Sequence, residues 1–290
     1  MDENRINIQW FPGHMTKAKR MMVDSVKLVD AICEIIDARI PISSRNPELG
    51  DIAGGRPRVV ILNRTDLADP EMTRRWAKYF RDNGIYVIET DSKSGKGVNK
   101  FSDSLRIVLK EKLEQYAAKG QANRPLRVMV AGIPNVGKST FINKVAGRKA
   151  AVAANKPGVT RGKQWITIGK GLELMDTPGL LWPKFDSQVV GENLAFTGAV
   201  KDDVIDTEAL AANLMLRLRD RYPKLLEARY KFTPDPEAKG WELLEKAARK
   251  RGFLISGGEV DTERMAAILL DEFRSGTIGR ITLEAPEDME

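Results

Sequence analysis

Cysteine and histidine, which build many metal and redox sites, are nearly missing from this sequence of 290 residues. The chain has one of each, Cys33 and His14. A single cysteine excludes an internal disulfide and metal sites built from several thiolates. Because Cys33 lies inside the apolar run Ala31–Asp37, we expect its thiol to be buried.

Long hydrophobic runs and a leader-like start are also lacking. No uninterrupted apolar stretch approaches the ~20 residues that a transmembrane helix needs. The polar start Met1–Arg5 is not followed by an apolar region of the kind found in secretory signals. With 42% hydrophobic and 30% charged residues, the composition is that of a globular protein long enough for two domains. We therefore expect a cytoplasmic protein without a membrane partner.

Positive charge is concentrated in the earlier part of the chain. The formal net charge is +7, and residues 1–200 carry 32 lysines and arginines against 21 aspartates and glutamates. Residues 201–290 carry 15 against 19, so that part is net acidic. The excess of positive charge indicates a polyanionic partner such as nucleic acid. An ordinary solvated basic surface is the alternative.

Strand-like and helical patterns alternate along the chain up to the residues before Phe185. The runs Ala31–Asp37, Arg58–Leu62 and Leu126–Ala131 are apolar and of the length of buried strands. Helical patterns accompany these strands along the chain. This alternation predicts an α/β fold with a doubly wound parallel sheet.

The pattern changes near Phe185, after which only helical stretches remain. Each of these stretches ends at a proline or a glycine. The sequence therefore predicts a first domain over residues 1–185 and an all-helical second domain over residues 186–290. The acidic tail from Glu284 onward is expected to be frayed.

A glycine-rich loop follows the strand Leu126–Ala131. Residues 132–139, here called the P-loop, read Gly-Ile-Pro-Asn-Val-Gly-Lys-Ser and match the pattern G-x-x-x-x-G-K-[ST]. Backbone N–H groups of such a loop, together with the start of the next helix, point at phosphate. Lys138 adds a positive charge for the outer phosphates, and Ser139 offers a hydroxyl to Mg²⁺. The residues expected to contact the nucleotide here are Asn135, Val136, Gly137, Lys138, Ser139 and Thr140.

A second phosphate motif, Asp176-Thr-Pro-Gly179, stands further along the chain. Asp176 follows a strand and is expected to hold Mg²⁺ through a water molecule, while the N–H of Gly179 meets the γ-phosphate. The loop between the two phosphate motifs contains Thr160, which we expect to bind Mg²⁺ in the triphosphate state. A surface turn residue is the alternative for Thr160.

Two short segments before the P-loop carry the pattern of a base-reading site. Asn63-Arg64-Thr65-Asp66, here called the base-reading loop, resembles the N-K-x-D motif, with arginine in the lysine position. The carboxylate of Asp66 can accept hydrogen bonds from guanine N1–H and N2–H₂, a pair that adenine does not offer. Asp91–Gly95, here called the second base loop, stands where such proteins place a backbone contact to the guanine oxygen. The predicted contacts on this side are Asn63, Arg64, Thr65, Asp66, Asp91 and Ser92.

The order of these motifs resembles that of the circularly permuted GTPases. In Ras-like GTPases the phosphate motifs come first, whereas here the base-reading motifs precede them. The segments Ile8–Met15 and Asp37–Pro41 are similar to those of family members that act in ribosome assembly. The resemblance implies a GTPase that binds a late precursor of the large ribosomal subunit and its rRNA with GTP bound, and that leaves on hydrolysis. It also implies that the second switch, after Gly179, leads directly into the helical domain.

The residue that activates water is not the usual one. Leu180 stands where Ras-like proteins have a glutamine, and leucine cannot orient water. The resemblance assigns the catalytic role to His14, whose imidazole can hydrogen-bond water near neutral pH. A surface or RNA-contacting histidine is the alternative. Asn135 is similar to the asparagine that helps to bind K⁺ in potassium-activated GTPases, with a loop-shaping hydrogen bond as the alternative role.

Clusters of basic residues are candidate contacts to the phosphate backbone of structured RNA. Ordinary solvated helix faces are the alternative. The predicted RNA-binding residues are Lys17, Lys19, Arg20, Arg217, Arg221, Lys224, Lys250 and Arg251.

We expect a monomer that binds GTP and GDP. Two other functions are compatible with the sequence: a switch in which GTP gates binding, and a P-loop ATPase or nucleotide kinase.

Overall fold

The computed structural model describes residues 13–147, 164–169, 171–185 and 187–289, except for the side chain of His14. These described residues fall into two compact units. The first unit comprises residues 13–184 and 284–289, and the second, here called the helical unit, comprises residues 185–283. The last residues of the chain thus belong with the first unit, which the sequence did not indicate.

The first unit is built on a mixed sheet with helices between its strands. Within the described residues the sheet has six strands in the order β3-β2-β1-β4-β6-β5, and all neighbours are parallel except the edge pair β5 and β6. The prediction of a doubly wound α/β sheet is confirmed. The elements are α1 Gly13–Val26, β1 Ala31–Asp37, α2 Leu49–Ala53, β2 Arg58–Asn63, α3 Pro70–Asp82, β3 Tyr86–Glu89, α4 Phe101–Val108, α5 Lys110–Ala118, β4 Leu126–Gly132, α6 Lys138–Ala146, β5 Gln164–Ile168 and β6 Leu172–Asp176.

Strand β1 lies at the centre of the sheet, and every one of its residues is buried. Central strands of parallel sheets are covered on both faces, which explains the continuous apolar run. Cys33 is fully buried in this strand, as predicted, and burial together with the neighbouring charge of Glu34 raises the pKa of its thiol. The strand register places Asp37 beside Asn63, and Ile35 beside Gly132. The ends of β1, β2 and β4 therefore meet at one edge, where sheets of this type bind ligands.

The helical unit contains the elements expected from the breaker residues. Helix α8 packs its apolar face against α10 and α11. Gly240, at the start of α10, approaches α8 so closely that a Cβ atom there would stand 2.2 Å from the carbonyl oxygen of Ala212. The helices are α7 Gln188–Phe196, α8 Thr207–Arg221, α9 Pro223–Tyr230, α10 Gly240–Arg251 and α11 Thr262–Ser275.

The chain returns to the first unit at Glu284, and the expectation of a frayed tail is wrong for this residue. Glu284 is buried, and its carbonyl oxygen accepts a hydrogen bond of 3.0 Å from the indole N–H of Trp76 in α3. A short 3₁₀ helix, Pro286–Met289, follows it. Buried hydrogen bonds outweigh the local preference of an acidic terminal segment to fray.

Among the residues described, no helix is both long enough and apolar enough to cross a membrane.

Candidate guanine-nucleotide site

The P-loop connects the end of β4 to the start of α6. A Cβ atom on Gly132 would stand 2.7 Å from the carbonyl oxygen of Ile35 in β1. Gly137 has a φ of +95°, and a Cβ atom there would stand 2.5 Å from the Nδ2 atom of Asn63. Both glycines are therefore required by close approach, and Gly137 is required by its positive φ as well. The helix that starts at Lys138 supplies the N-terminal amide groups that bind phosphate in sites of this kind.

The side chain of Asn63 joins the base-reading loop to the two other loops of the site. Its Nδ2 atom donates to the carbonyl oxygen of Val136 in the P-loop at 2.9 Å. Its Oδ1 atom accepts from the hydroxyl of Thr90 at 3.1 Å, and from the N–H and hydroxyl of Ser92 at 3.2 Å and 2.7 Å. The N–H of Thr65 donates to the carbonyl of Thr90 at 3.2 Å. Asn63 thus braces the site, as the sequence predicted for its amide.

Arg64 adds a second connection between the base-reading loop and the P-loop. Its Nη2 atom donates to the carbonyl oxygen of Asn135, and its Nε atom lies 3.7 Å from the carboxylate of Asp37. Arg64 and Asn135 both have positive φ angles, 61° and 59°, which are uncommon outside glycine. Burial lowers the pKa of Arg64 and the charge of Asp37 opposes this effect. The arginine in the lysine position is therefore held in place on both sides.

The two aspartates of the base-reading side have different environments. Asp66 is exposed, as a carboxylate that meets a ligand must be. The Oδ1 atom of Asp91 instead accepts from the backbone N–H groups of Lys93 at 2.9 Å and Ser94 at 3.1 Å. Burial would raise the pKa of Asp91, but hydrogen bonds from Ser94 and Lys93 lower it. Asp91 therefore shapes the second base loop, and Asp66 is the carboxylate available to a base.

The charged residues of the phosphate side contact each other directly. The ammonium group of Lys138 donates to the carboxylate of Asp176, and both side chains are buried. Ser139 is half-buried and Thr140 is exposed at the start of α6. The hydroxyl of Ser139 and the carboxylate of Asp176 are oxygen donors of the kind that Mg²⁺ prefers. Nucleotide and metal would therefore replace the contact between Lys138 and Asp176 with phosphate and Mg²⁺.

The segment after β6 packs directly on the P-loop. A Cβ atom on Gly179 would stand 2.8 Å from the nitrogen of Pro134. The N–H of Leu180 donates to the carbonyl of Gly132 at 3.1 Å, and the amide of Asn46 donates to the carbonyl of Leu180 at 3.4 Å. The side chain of Leu180 is buried, so neither its chemistry nor its position allows it to orient a water molecule.

Two predicted site residues lie outside the described part of the chain. These are Thr160 and the side chain of His14, whose backbone belongs to the first turn of α1. The roles given to these two residues therefore stay predictions.

The predicted RNA-binding residues divide into two groups. Lys19, Arg217 and Arg251 have carboxylate partners in the structure, namely Glu48 at 2.7 Å, Glu192 at 3.7 Å and Glu272. The guanidinium of Arg251 also lies over the ring of Tyr230 at 5.8 Å. Each of these three side chains thus has a carboxylate partner within its own unit, and surface ion pairs of this kind contribute at most about 1 kcal/mol. The exposed members of the set are Lys17, Arg20, Arg221, Lys224 and Lys250.

Sequence reasoning missed a buried charge network at the end of β1. The carboxylate of Asp37 accepts from the N–H and Nε of Arg39 at 3.0 Å each and from its Nη2 at 2.7 Å, and both side chains are buried. Burial would raise the pKa of Asp37, but Arg39 and then Arg64 hold it below its usual value. The Asp-Ala-Arg sequence that begins with the last residue of β1 was the available signal for this network.

Comparisons with known proteins agree with this geometry. A family model described as "50S ribosome-binding GTPase" matches residues 127–230. Ribosome biogenesis GTPase A of Priestia megaterium is 44% identical over 286 residues, covering 98% of this chain and 99% of that protein. The Bacillus cereus protein of the same name is 42% identical over 281 residues, covering 97% and 95%.

A solved structure shares the fold. The crystal structure of GNP-bound YlqF from T. maritima matches with a TM-score of 0.65 and 28% identity, covering 93% of this chain and 99% of that one. The near-complete coverage of relatives above 40% identity includes both units of the chain. The chain therefore belongs to the ribosome biogenesis GTPase A family.

Proposed function

We propose that this protein is a GTPase of late large-subunit assembly, which binds a precursor of the large ribosomal subunit and its rRNA in the GTP state and is released on hydrolysis. The bracing of the base-reading loop and the P-loop by Asn63 carries the proposal, because it brings base-reading and phosphate-binding motifs into one site. The name of the family and the GNP-bound relative support it. We further propose that it acts in the cytoplasm as a monomer.

The proposed nucleotide contacts are those predicted from the motifs, and the geometry of the described loops supports them. Asp66 reads the guanine edge, while the P-loop backbone, Lys138 and the N–H of Gly179 contact the phosphates. Ser139, Asp176 through a water molecule and, with GTP bound, Thr160 would hold Mg²⁺. The metal supplies charge neutralisation at the outer phosphates, and this chain supplies the oxygen donors that orient it.

Because the side chain of Leu180 is buried and apolar, other groups must position the water molecule for hydrolysis. We propose that His14 positions the attacking water and that the large subunit stimulates the reaction by placing this residue at the nucleotide. Asn135 would help to hold a K⁺ ion, which would supply positive charge of the kind that an arginine finger supplies in other GTPases. The half-exposed Asn135 side chain is an oxygen donor suited to this ion.

A GTP-gated binding switch is the second candidate function, and the buried, apolar Leu180 favours it. In that case binding of rRNA depends on GTP but turnover does not change with the partner. GTP turnover measured with and without purified large-subunit precursors separates the two functions. Strong stimulation supports the assembly GTPase, and an equal rate in both samples supports the switch.

Replacing Asp66 tests the base assignment. We expect Asp66→Asn to weaken GDP binding at least about a hundredfold. The carboxylate can accept hydrogen bonds from both guanine donors, whereas the amide of asparagine turns an N–H₂ group towards one of them. The same variant should bind xanthosine diphosphate better than the parent protein does, since xanthine replaces a donor with an acceptor. Equilibrium titration with labelled nucleotides measures both affinities. Unchanged GDP affinity, or displacement of GDP by ATP from the parent protein, would contradict the assignment.

Replacing His14 tests the catalytic proposal. We expect His14→Ala to lower the subunit-stimulated rate of GTP hydrolysis at least about tenfold, the contribution of one positioned acid–base group, while GTP affinity stays nearly the same. Single-turnover hydrolysis with saturating large subunits measures the rate. Unaltered turnover with intact subunit binding would remove His14 from the mechanism.

The identity of the monovalent cation tests the role given to Asn135. We expect faster GTP hydrolysis in KCl than in NaCl at equal ionic strength, because the site would select K⁺ by size and donor number. Asn135→Asp should reduce this difference. Equal rates of the parent protein in the two salts would exclude K⁺ activation.

A further inference from the structure

The carboxylate of Glu284 holds the C-terminal segment to a loop of the first unit. It accepts from the backbone N–H groups of Ile42 at 2.6 Å and Ser43 at 3.0 Å, and the hydroxyl of Ser43 also donates to it. The backbone carbonyl of Glu284 accepts from the indole of Trp76 at 3.0 Å. A buried carboxylate that accepts from successive amides forms strong, oriented hydrogen bonds. Glu284 therefore holds the C-terminal segment in place on the first unit and is not part of a frayed tail.

The loop that Glu284 binds, residues 37–46, here called the Asp37 loop, touches both sides of the nucleotide site. The hydroxyl of Ser44 accepts from the N–H of Asp37 at 2.9 Å, which fixes the end of β1. The carboxylate of Asp37 in turn faces Arg64. At the other end of the loop, Asn46 donates to the carbonyl of Leu180 at 3.4 Å. The Asp37 loop thus connects the base-reading side with the segment after Gly179.

We propose that Glu284 is a positioning residue for the nucleotide site. It fixes the Asp37 loop, so that Asp37 orients Arg64 and Arg64 holds the Asn135 carbonyl of the P-loop. The inference rests on the proposed nucleotide contacts of the base-reading loop and the P-loop. None of these side chains needs to touch the reacting phosphate for the effect to reach it.

The connectivity of the chain gives this contact a regulatory consequence. The helical unit begins directly after the segment that follows Gly179, and its last residue, Leu283, is bonded to Glu284. At both ends of residues 185–283 the chain therefore leads to parts of the first unit that contact the Asp37 loop or the P-loop. Withdrawal of Glu284 from the loop frees Asp37 and Arg64 to move, and this speeds release of the nucleotide.

The test compares Glu284→Gln with Glu287→Gln as a matched control in the full-length protein. Glu287 belongs to the same segment, but its side chain is exposed and pairs with the exposed Arg75. We expect Glu284→Gln to raise the dissociation rate of a fluorescent GDP about threefold to tenfold, the size of coupling carried by such networks. The control should dissociate at the parent rate. Stopped-flow displacement by excess GDP measures the rates, and thermal unfolding reports whether each variant is folded.

A double-mutant cycle distinguishes positioning from general loosening. Glu284→Gln and Asp37→Asn should be non-additive, because both act through the same contact to Arg64. If Glu284→Gln does not fold, Ser43→Ala removes a single donor to the carboxylate and should still raise the rate at least about twofold. Parent-like dissociation in the folded variants, or additive effects in the cycle, would overturn the inference. A parent protein that binds no guanine nucleotide would instead refute the proposed function.

Discussion

The hydrogen bonds of the Asn63 side chain are the constraint on which the rest of the site depends. One amide contacts the P-loop through Val136 and the second base loop through Thr90 and Ser92. These segments are far apart in the sequence and come from the ends of different strands. Gly137 must be glycine because a side chain there would occupy the place of this amide. Base recognition and phosphate binding are thus joined through a single buried group, whose loss would leave several polar partners unsatisfied.

This arrangement explains how the permuted order of motifs preserves the site. The contacts of Asn63 and Arg64 join loops at the carboxyl edge of the sheet. These contacts depend on which strands are neighbours in the sheet, and not on the order of the strands along the chain. Circular permutation moves the ends of the domain to another place in the chain, so it changes which loop of the site leads into the next unit. Here the segment after Gly179 continues into the helical unit, and the chain comes back at Glu284. The permuted order therefore leaves the contacts between the loops intact while the helical unit stands between β6 and Glu284 in the chain.

Much of the fold and the site could be predicted because both depend on local patterns. The buried strands, the glycine-rich loop and the base-reading loop each carry a short sequence signal with a physical reason. The contact of Arg64 with Asp37 could not be predicted, because it arises from the register that places Asp37 beside Asn63. The pair of Asp37 and Arg39, by contrast, is local in the chain. The docking of Glu284 could not be predicted either, since its partners Ile42 and Ser43 are distant in the chain.

Charge counts predict a class of partner, but they do not distinguish one basic side chain from another. Lys19, Arg217 and Arg251 belong to basic clusters in the sequence, yet each has a carboxylate partner in the fold. Those partners come from other elements, so only the tertiary structure distinguishes them from exposed residues such as Lys17 and Lys250. Asp91 differs from these residues, because its carboxylate accepts from N–H groups of its own loop.

The affinity of Asn63→Ala for GDP is the most direct test of this account. Asn83→Ala is the matched control, because Asn83 is exposed and its amide contacts only the end of its own helix among the contacts described. We predict that Asn63→Ala binds labelled GDP at least about a hundredfold more weakly than the parent, a loss of about 2.7 kcal/mol, whereas the control keeps the parent affinity. GDP affinity within about twofold of the parent in a folded Asn63→Ala protein would contradict the claim that Asn63 holds the site together.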